Sequence, residues 1–204
     1  NNTYHYLNEI PFADHGALID PPTSDVTARC IGFLGKYGKQ AHQNAVYRGV
    51  SFLLREQEAN GAWFGRWGTN YIYGTWSVLE AMQLAKQDMK HTAVRRAVQW
   101  LKSVQREDGG WGESNDSYLD PKLAELETST AFQTAWALLG LMAAGEVKSE
   151  SVRRGINYLL SAQSSNHLWE EPWFTAPGFP RVFYLRYHGY SKFFPIWALA
   201  RYRR

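Results

Sequence analysis

Cysteine is almost absent from this chain. The single Cys30 excludes an internal disulfide and points to a reducing compartment. Lying in an apolar stretch, it reads as a small buried hydrophobe. Charge of one sign is also lacking. The 22 basic and 19 acidic residues leave a formal net charge of +3, which argues against a dedicated nucleic-acid binder. No apolar run approaches the roughly 18 residues of a spanning helix, and no signal peptide is visible. The six histidines, at 5, 15, 42, 91, 167 and 188, give no metal-ligand spacing with Cys30. Gly-x-Ser-x-Gly and phosphate-loop motifs are missing. Hydrophobic residues at 45% against 20% charged exclude a disordered chain, and 204 residues suffice for one substantial core.

Aromatics are abundant, with 9 Trp, 12 Tyr and 10 Phe. Many belong to a phrase written three times. Arg48-Gly49 leads through Phe52-Leu53 to Gln57 and then Gly61-Ala62-Trp63. Arg96-Ala97 leads through Trp100-Leu101 to Gln105 and then Gly109-Gly110-Trp111. Arg154-Gly155 leads through Tyr158-Leu159 to Gln163 and then Trp169. In each copy the Gln stands six residues before the Trp, and the copies begin 48 and 58 residues apart. A repeat of this length means stacked supersecondary units. The third copy departs from the pattern, with Asn166-His167-Leu168 before its Trp. There Asn166 is expected to take the left-handed turn position.

Residues 1–22 read as a loop. A helix is expected from Thr23 or Ser24 to about Tyr37, with Val26, Cys30, Ile31, Phe33 and Leu34 as its apolar set. Further helices are expected at about 41–57, 70–86, 91–105, 130–144, 149–163 and 190–203. Nothing alternates with period two for long enough to form a sheet, so the chain reads as all-α. Two helices per repeat, each with a face that needs a neighbour, describe a helical array. Trp63, Trp111, Trp169 and the three Gln read as scaffold. Glu113, Asp116, Asp120, Glu125 and Glu127 read as a solvated acidic loop.

The three copies resemble the QW repeats of triterpene cyclases. Phe64-Gly65-Arg66-Trp67-Gly68-Thr69-Asn70-Tyr71-Ile72-Tyr73-Gly74-Thr75-Trp76 is similar to that family's signature stretch. Asp20 to Ala28, and Gly178-Phe179-Pro180 with Phe183 to Tyr187, Tyr190 and Pro195, resemble the bacterial squalene–hopene cyclase branch. Asp25-Val26-Thr27-Ala28-Arg29 stands where the sterol branch carries Asp-Cys-Thr-Ala-Glu.

The resemblance implies a partial α/α toroid of inner and outer helices. Residues 1–204 are then the C-terminal part of a catalytic domain, with the rest of the enzyme upstream. It implies cyclisation of squalene, or a similar linear triterpene, through successive carbocations, with no metal or organic cofactor. It also implies an Asp-x-Asp-Asp proton donor. That motif is not in this chain, so the chain alone is expected to be inactive and to self-associate through its cut edge.

Carried over by the resemblance, Trp67, Phe179 and Phe183 are cation-facing rings, with Tyr73, Tyr187 and Tyr190 beside them. Leu185 shapes the wall and Phe12 lies near the substrate channel. Asp20 and Asp25 lie at the acid end, where Asp25 reads equally as a charge at a helix N-terminus. Arg29 stands where relatives place an acid-supporting His, or is a surface arginine. The expected partners are squalene, the remainder of the cyclase chain, a homodimer and the membrane surface, with no nucleic acid. The expected place is the cytoplasmic face of a bacterial membrane, reached by a peripheral parent enzyme; the piece itself is expected to be soluble. Two alternatives stay open: a cyclase of another prenyl substrate, and a non-catalytic lipid-binding toroid module.

Overall fold

A computed structural model describes residues 21–204. Seven α-helices are present among them: α1 Ser24–Tyr37, α2 Gln43–Arg55, α3 Tyr71–Leu84, α4 Thr92–Ser103, α5 Ala131–Ala143, α6 Glu150–Ser161 and α7 Tyr190–Tyr202. They fall into two kinds. The second, fourth and sixth bury one stripe each, such as Val46, Val50 and Leu53 in α2 and Val152, Ile156 and Leu159 in α6. These are outer-layer helices with a wet face. In α5 all thirteen residues are buried, and in α3 only a few escape. A helix apolar all round needs neighbours on every side. Accordingly α1 packs on α3, α3 on α5 and α5 on α7, forming the inner layer, while α2 backs α1 and α6 backs α5. The result is a partial α/α toroid.

The three sequence copies are three corners with one hydrogen-bond plan. The indole Nε1 of Trp63, Trp111 and Trp169 donates to the carbonyl ten residues earlier, of Leu53 (2.7 Å), Leu101 (2.8 Å) and Leu159 (2.8 Å). Gln57 Nε2 donates to Gly61 O and to Ala93 O on the next outer helix, both at 2.8 Å. Gln105 repeats this with Gly109 O (2.8 Å) and Ser151 O (2.9 Å). The Arg that opens a copy closes the corner before it. Arg96 donates to the carbonyls of Glu58 (2.9 Å) and Ala59 (2.8 Å), and Arg154 to those of Arg106 (2.7 Å) and Glu107 (2.8 Å). The spacing of Arg, Gln and Trp is therefore a register between neighbouring copies.

Gly61 (φ 100°) and Gly109 (φ 88°) occupy the left-handed region, and a Cβ there would meet the carbonyl of Arg96 or Arg154 at 2.8 or 2.7 Å. In the third corner His167, not Asn166, takes the left-handed position, with φ 61°. Asn166 instead accepts the Leu168 N–H through its side chain at 3.0 Å, so its oxygen shapes the turn while the next residue bends.

Three other expectations are corrected. Cys30 is exposed, because the buried face of α1 runs through Ala28 and Ile31 and leaves Cys30, Val26 and Phe33 outside. Two antiparallel ribbons exist: β1 Trp111–Glu113 with β2 Glu125–Thr130, and β3 Ala176–Phe179 with β4 Phe183–Leu185. Strands of three to six residues, each ribbon interrupted by a bulge, leave no period-two pattern to read. Glu113 is buried, for a reason given below.

Candidate functional site

The inner helices place their aromatics in one continuous group. Trp76 on α3 and Trp136 on α5 stack at 6.0 Å with 8° between their planes. Tyr73 meets Trp136 edge-on at 5.0 Å, and Phe132 lies 5.2 Å from the same indole. From α7, Tyr190 and Phe194 approach Trp136 at 5.8 and 5.4 Å, and Trp197 approaches Trp76 at 5.9 Å. The edge-to-face geometry is what ring quadrupoles favour. Tyr187 extends the group, 4.9 Å from Tyr190. Tyr73, Tyr187 and Tyr190 are thus brought together as their sequence positions suggest. Trp76, Phe132, Trp136, Phe194 and Trp197 were not among the sequence candidates. Their signal is the i, i+3, i+4 spacing of aromatics within the inner helices.

Arg29 reaches into this group from α1. Its guanidinium lies 4.1 Å from the Trp76 ring centre and 5.6 Å from that of Tyr73. Burial raises the Tyr73 phenol, the Arg29 charge opposes it, and the Asp25 charge adds to it. Tyr190 is pushed up to about 12, first by burial and then by Tyr73 and Tyr187. Among the described residues the buried Trp136 Nε1 has no hydrogen-bond partner.

Trp67 and the β3–β4 hairpin form the second half of the site. Asp25 is only 1% exposed, and its Oδ2 accepts the backbone N–H of Trp67 at 2.8 Å. Its other oxygen accepts the Val26 N–H (2.9 Å) and the Thr23 hydroxyl (2.5 Å). Asp25 thus stands at the start of α1, as the helix-terminus reading expects, and also fixes the Trp67 backbone. Phe179 and Phe183 are cross-strand partners with ring centres 5.4 Å apart. Trp67 is 44% exposed, Phe183 41% and Leu185 41%, so these side chains line an open face while the scaffold Trp are closed off. Phe12 and Asp20 lie outside the described residues.

A buried polar knot ties these loops together. The Tyr118 hydroxyl bridges the carbonyls of Gly65 (2.6 Å) and Gly68 (3.0 Å), and its ring meets Phe64 edge-on at 5.6 Å. Its own carbonyl accepts Arg181 Nε at 2.6 Å from the hairpin. Thr69 donates its N–H to Thr175 O (3.0 Å) and its hydroxyl to Asn115 (2.6 Å). Gln133, fully buried, accepts from the Glu113 N–H (2.9 Å) and donates to the carbonyls of Glu113 (3.0 Å) and Thr69 (3.2 Å). Burial raises the Tyr118 phenol strongly, with the Glu113 charge adding to it. The hydroxyl therefore acts as a fixed donor and takes no part in proton exchange near neutrality.

Glu113 belongs to this knot and not to the surface. Its carboxylate accepts the backbone N–H groups of Asn70 (3.1 Å), Tyr71 (3.0 Å) and Ile72 (3.0 Å), which are the orphan donors at the start of α3. Burial raises its pKa, and those three bonds oppose the rise. Glu171 does the same for α5, accepting from Ala131 and Phe132. It is raised to about 7 by burial, and among the described residues its Oε2 has no partner. Both glutamates stand two residues after a repeat Trp. Asp116, Asp120, Glu125 and Glu127 are indeed exposed.

Chemically, the site offers an aromatic surface with Asp25, Glu113 and Glu171 engaged as helix caps and backbone anchors. Among the described residues no group of three His, Cys, Asp or Glu is placed to hold a metal ion. No helix among them is long and apolar enough to cross a membrane.

Comparison with known proteins agrees with this architecture. Residues 1–204 match the family described as squalene-hopene cyclase C-terminal domain. A probable squalene–hopene cyclase of Sinorhizobium fredii is 61% identical over 100% of this chain and 32% of its own length. The squalene–hopene cyclase of Zymomonas mobilis is 59% identical over 100% of this chain and 31% of its own length. The chain thus spans about a third of the length of these relatives. Among solved structures, ent-copalyl diphosphate synthase from Streptomyces platensis superposes with a TM-score of 0.63 at 18% identity, over 94% of this chain and 33% of that one. Type II terpene cyclase MstE from Scytonema, in complex with geranylgeranyl dihydroxybenzoate, gives 0.55 at 19% identity, over 78% of this chain and 41% of that one. These two share the fold. From the repeat corners, the aromatic inner layer and the match over its whole length, the chain belongs to the squalene–hopene cyclase C-terminal domain family.

Proposed function

We propose that this chain is the cavity-wall portion of a triterpene cyclase that converts squalene to hopene or hopanol. Residues 1–204 are the C-terminal part of its catalytic domain, and the remainder of the enzyme supplies the Asp-x-Asp-Asp acid. Protonation of a terminal alkene starts the reaction, and each ring closure moves positive charge along the carbon chain. Loss of a proton ends it as hopene, and capture of water as hopanol. The proton taken up is returned in the first case, so the reaction is an isomerisation.

One observation carries this reading. Trp67 and Phe183 are exposed rings on segments hydrogen-bonded into a buried network, and Tyr187 is an exposed ring just beyond the hairpin, whereas the repeat Trp are sealed inside. A large exposed aromatic held rigidly is what a cation-stabilising wall requires. Each desolvated ring face contributes on the order of 2 kcal/mol towards a nearby cation. Phe179, Tyr73 and Tyr190 stand behind and beside these rings. Leu185 and Phe12 shape the substrate's path. Asp25, Asp20 and Arg29 serve the acid end. Asp25 does so by holding the Trp67 backbone, and Arg29 by placing a permanent charge beside Tyr73, since it cannot shuttle a proton.

The geranylgeranyl compound in the Scytonema enzyme supports a prenyl chain as the substrate class. Because squalene is nearly insoluble in water, the parent enzyme works at the cytoplasmic surface of the bacterial membrane, peripherally, and as a homodimer. The chain 1–204 alone forms no product. The test is to incubate the full-length enzyme with squalene and analyse the extract by gas chromatography. Pentacyclic hopene or hopanol is expected. Squalene recovered unchanged by an enzyme that still binds it would favour the lipid-binding module instead.

A further inference from the structure

Trp67, Phe179 and Phe183 come from two separate loops, yet one side chain touches the placement of all three. Arg66 is 7% exposed. Its guanidinium carbon lies 4.3 Å from the Trp67 ring centre and 6.0 Å from that of Phe179. Its Nη1 donates to the carbonyl of Gly178 at 3.2 Å. Gly178 in turn is where the Phe183 ring rests: a Cβ at that position would lie 2.1 Å from Phe183 Cε2. The planar fork therefore stacks on one loop's indole while its edge holds the other loop's backbone.

We infer that Arg66 is the positioning residue that sets the Trp67-to-Phe179/Phe183 spacing and thereby fixes how far cyclisation proceeds. This inference rests on the cyclase reading above. Two physical reasons carry it. First, a guanidinium is flat and donates in a fixed fork, so it sets a distance and a tilt together; an ammonium sets neither. Second, its guanidinium covers one face of the Trp67 indole, which is 44% exposed, so a reacting cation meets that ring from its other side. That ring is thus aimed as well as spaced. Tyr118 and Arg181 stitch the same two loops together but touch none of the three ring faces through a charge. They supply the comparison that separates aim from attachment.

The test uses the full-length enzyme with squalene, measuring the ratio of partly cyclised to pentacyclic products alongside the melting temperature. Arg66→Met removes both fork and charge. It is expected to raise that ratio about ten-fold or more, since a misplacement near 1 Å costs on the order of 10²-fold in a reacting step. Arg66→Lys, which keeps charge and reach but not the flat stacking, is expected to fall between Met and the unmodified enzyme. It also serves if the Met variant fails to fold. Arg181→Met is expected to lower the melting temperature and leave the ratio unchanged. An unchanged ratio in the Arg66 variants, whatever their rate, overturns the inference. So does an equal shift in Arg181→Met, which would make loop attachment the cause. An unmodified enzyme that forms no triterpene overturns the cyclase reading, and the inference falls with it; normal products from the unmodified enzyme keep the two failures apart.

Discussion

All three corners seat their Trp by the same bond, the indole N–H donating to the carbonyl ten residues earlier, and the first differs from the two that follow in what stands two residues after that Trp. Two residues after Trp111 and Trp169 stand Glu113 and Glu171, each turned inward to cap an inner helix. Two residues after Trp63 stands Gly65. The corresponding inner helix, α1, carries its own Asp25, which reaches outward to the Trp67 backbone. The first corner thus gives up the repeat's cap and gains a pinned loop with an exposed indole. Both later corners keep the cap; four residues after its Trp the second has Asn115, and the third has Trp173, which is 37% exposed. A repeat protein can spend one copy on a site because the others maintain the register.

This comparison also explains what was legible in the sequence. The corners were legible because Arg, Gln and Trp recur at fixed spacing. That spacing is the distance between one copy's turn and the next copy's outer helix. All seven helices were legible from apolar period and turn residues, to within a few residues at each end. The inward Glu113 was misread because its environment is made by α3, more than forty positions earlier. One carboxylate of an acidic loop that looks solvated in sequence is then buried by a helix N-terminus, while the other four stay exposed. Cys30 was misread for the converse reason. Its helix is apolar on more than one face, and the period does not say which face finds a partner. The Arg66 and Tyr118 contacts were invisible because they join loops more than fifty residues apart. Their residue types carry no spacing signal.

The comparison can be broken in several places, and all of these variants are to be made in the full-length enzyme. The largest effect is expected for Trp111→Ala. It empties a fully buried indole site and orphans the Leu101 carbonyl, lowering stability by about 3–5 kcal/mol, measurable by denaturant unfolding. Glu113→Ala is expected to follow. Three backbone N–H groups lose their acceptor in a buried place, and an unsatisfied group costs about 1–3 kcal/mol. A loss below that of an ordinary surface substitution would show that water replaces the carboxylate.

Glu171 gives a pH test with a definite sign. Its carboxyl rises from 4.5 when unfolded to about 7 when folded, so the native state holds the extra proton in that window. Stability is expected to fall as pH rises from about 4.5 to about 7, by on the order of 1–3 kcal/mol, and Glu171→Gln is expected to flatten the slope. A slope of opposite sign, or one that survives the substitution, removes Glu171 as its source. The smallest effect is expected at Gln105→Ala, which loses three hydrogen bonds at a half-buried corner within reach of water, about 0.5 kcal/mol each. Gln163, whose Nε2 among the described residues has only the His167 carbonyl at 3.1 Å, is expected to matter less still.

The central claim is that Trp67 faces the reacting cation while Trp111 only holds the scaffold. The most direct measurement sets Trp67→Ala beside Trp111→Ala in the full-length enzyme, with squalene products and thermal unfolding recorded for both. The account predicts that Trp67→Ala keeps nearly the full melting temperature and releases partly cyclised products. Trp111→Ala should melt far lower, with the remaining folded enzyme giving the normal product ratio. An unchanged product profile in Trp67→Ala, or a changed one confined to Trp111→Ala, would contradict it.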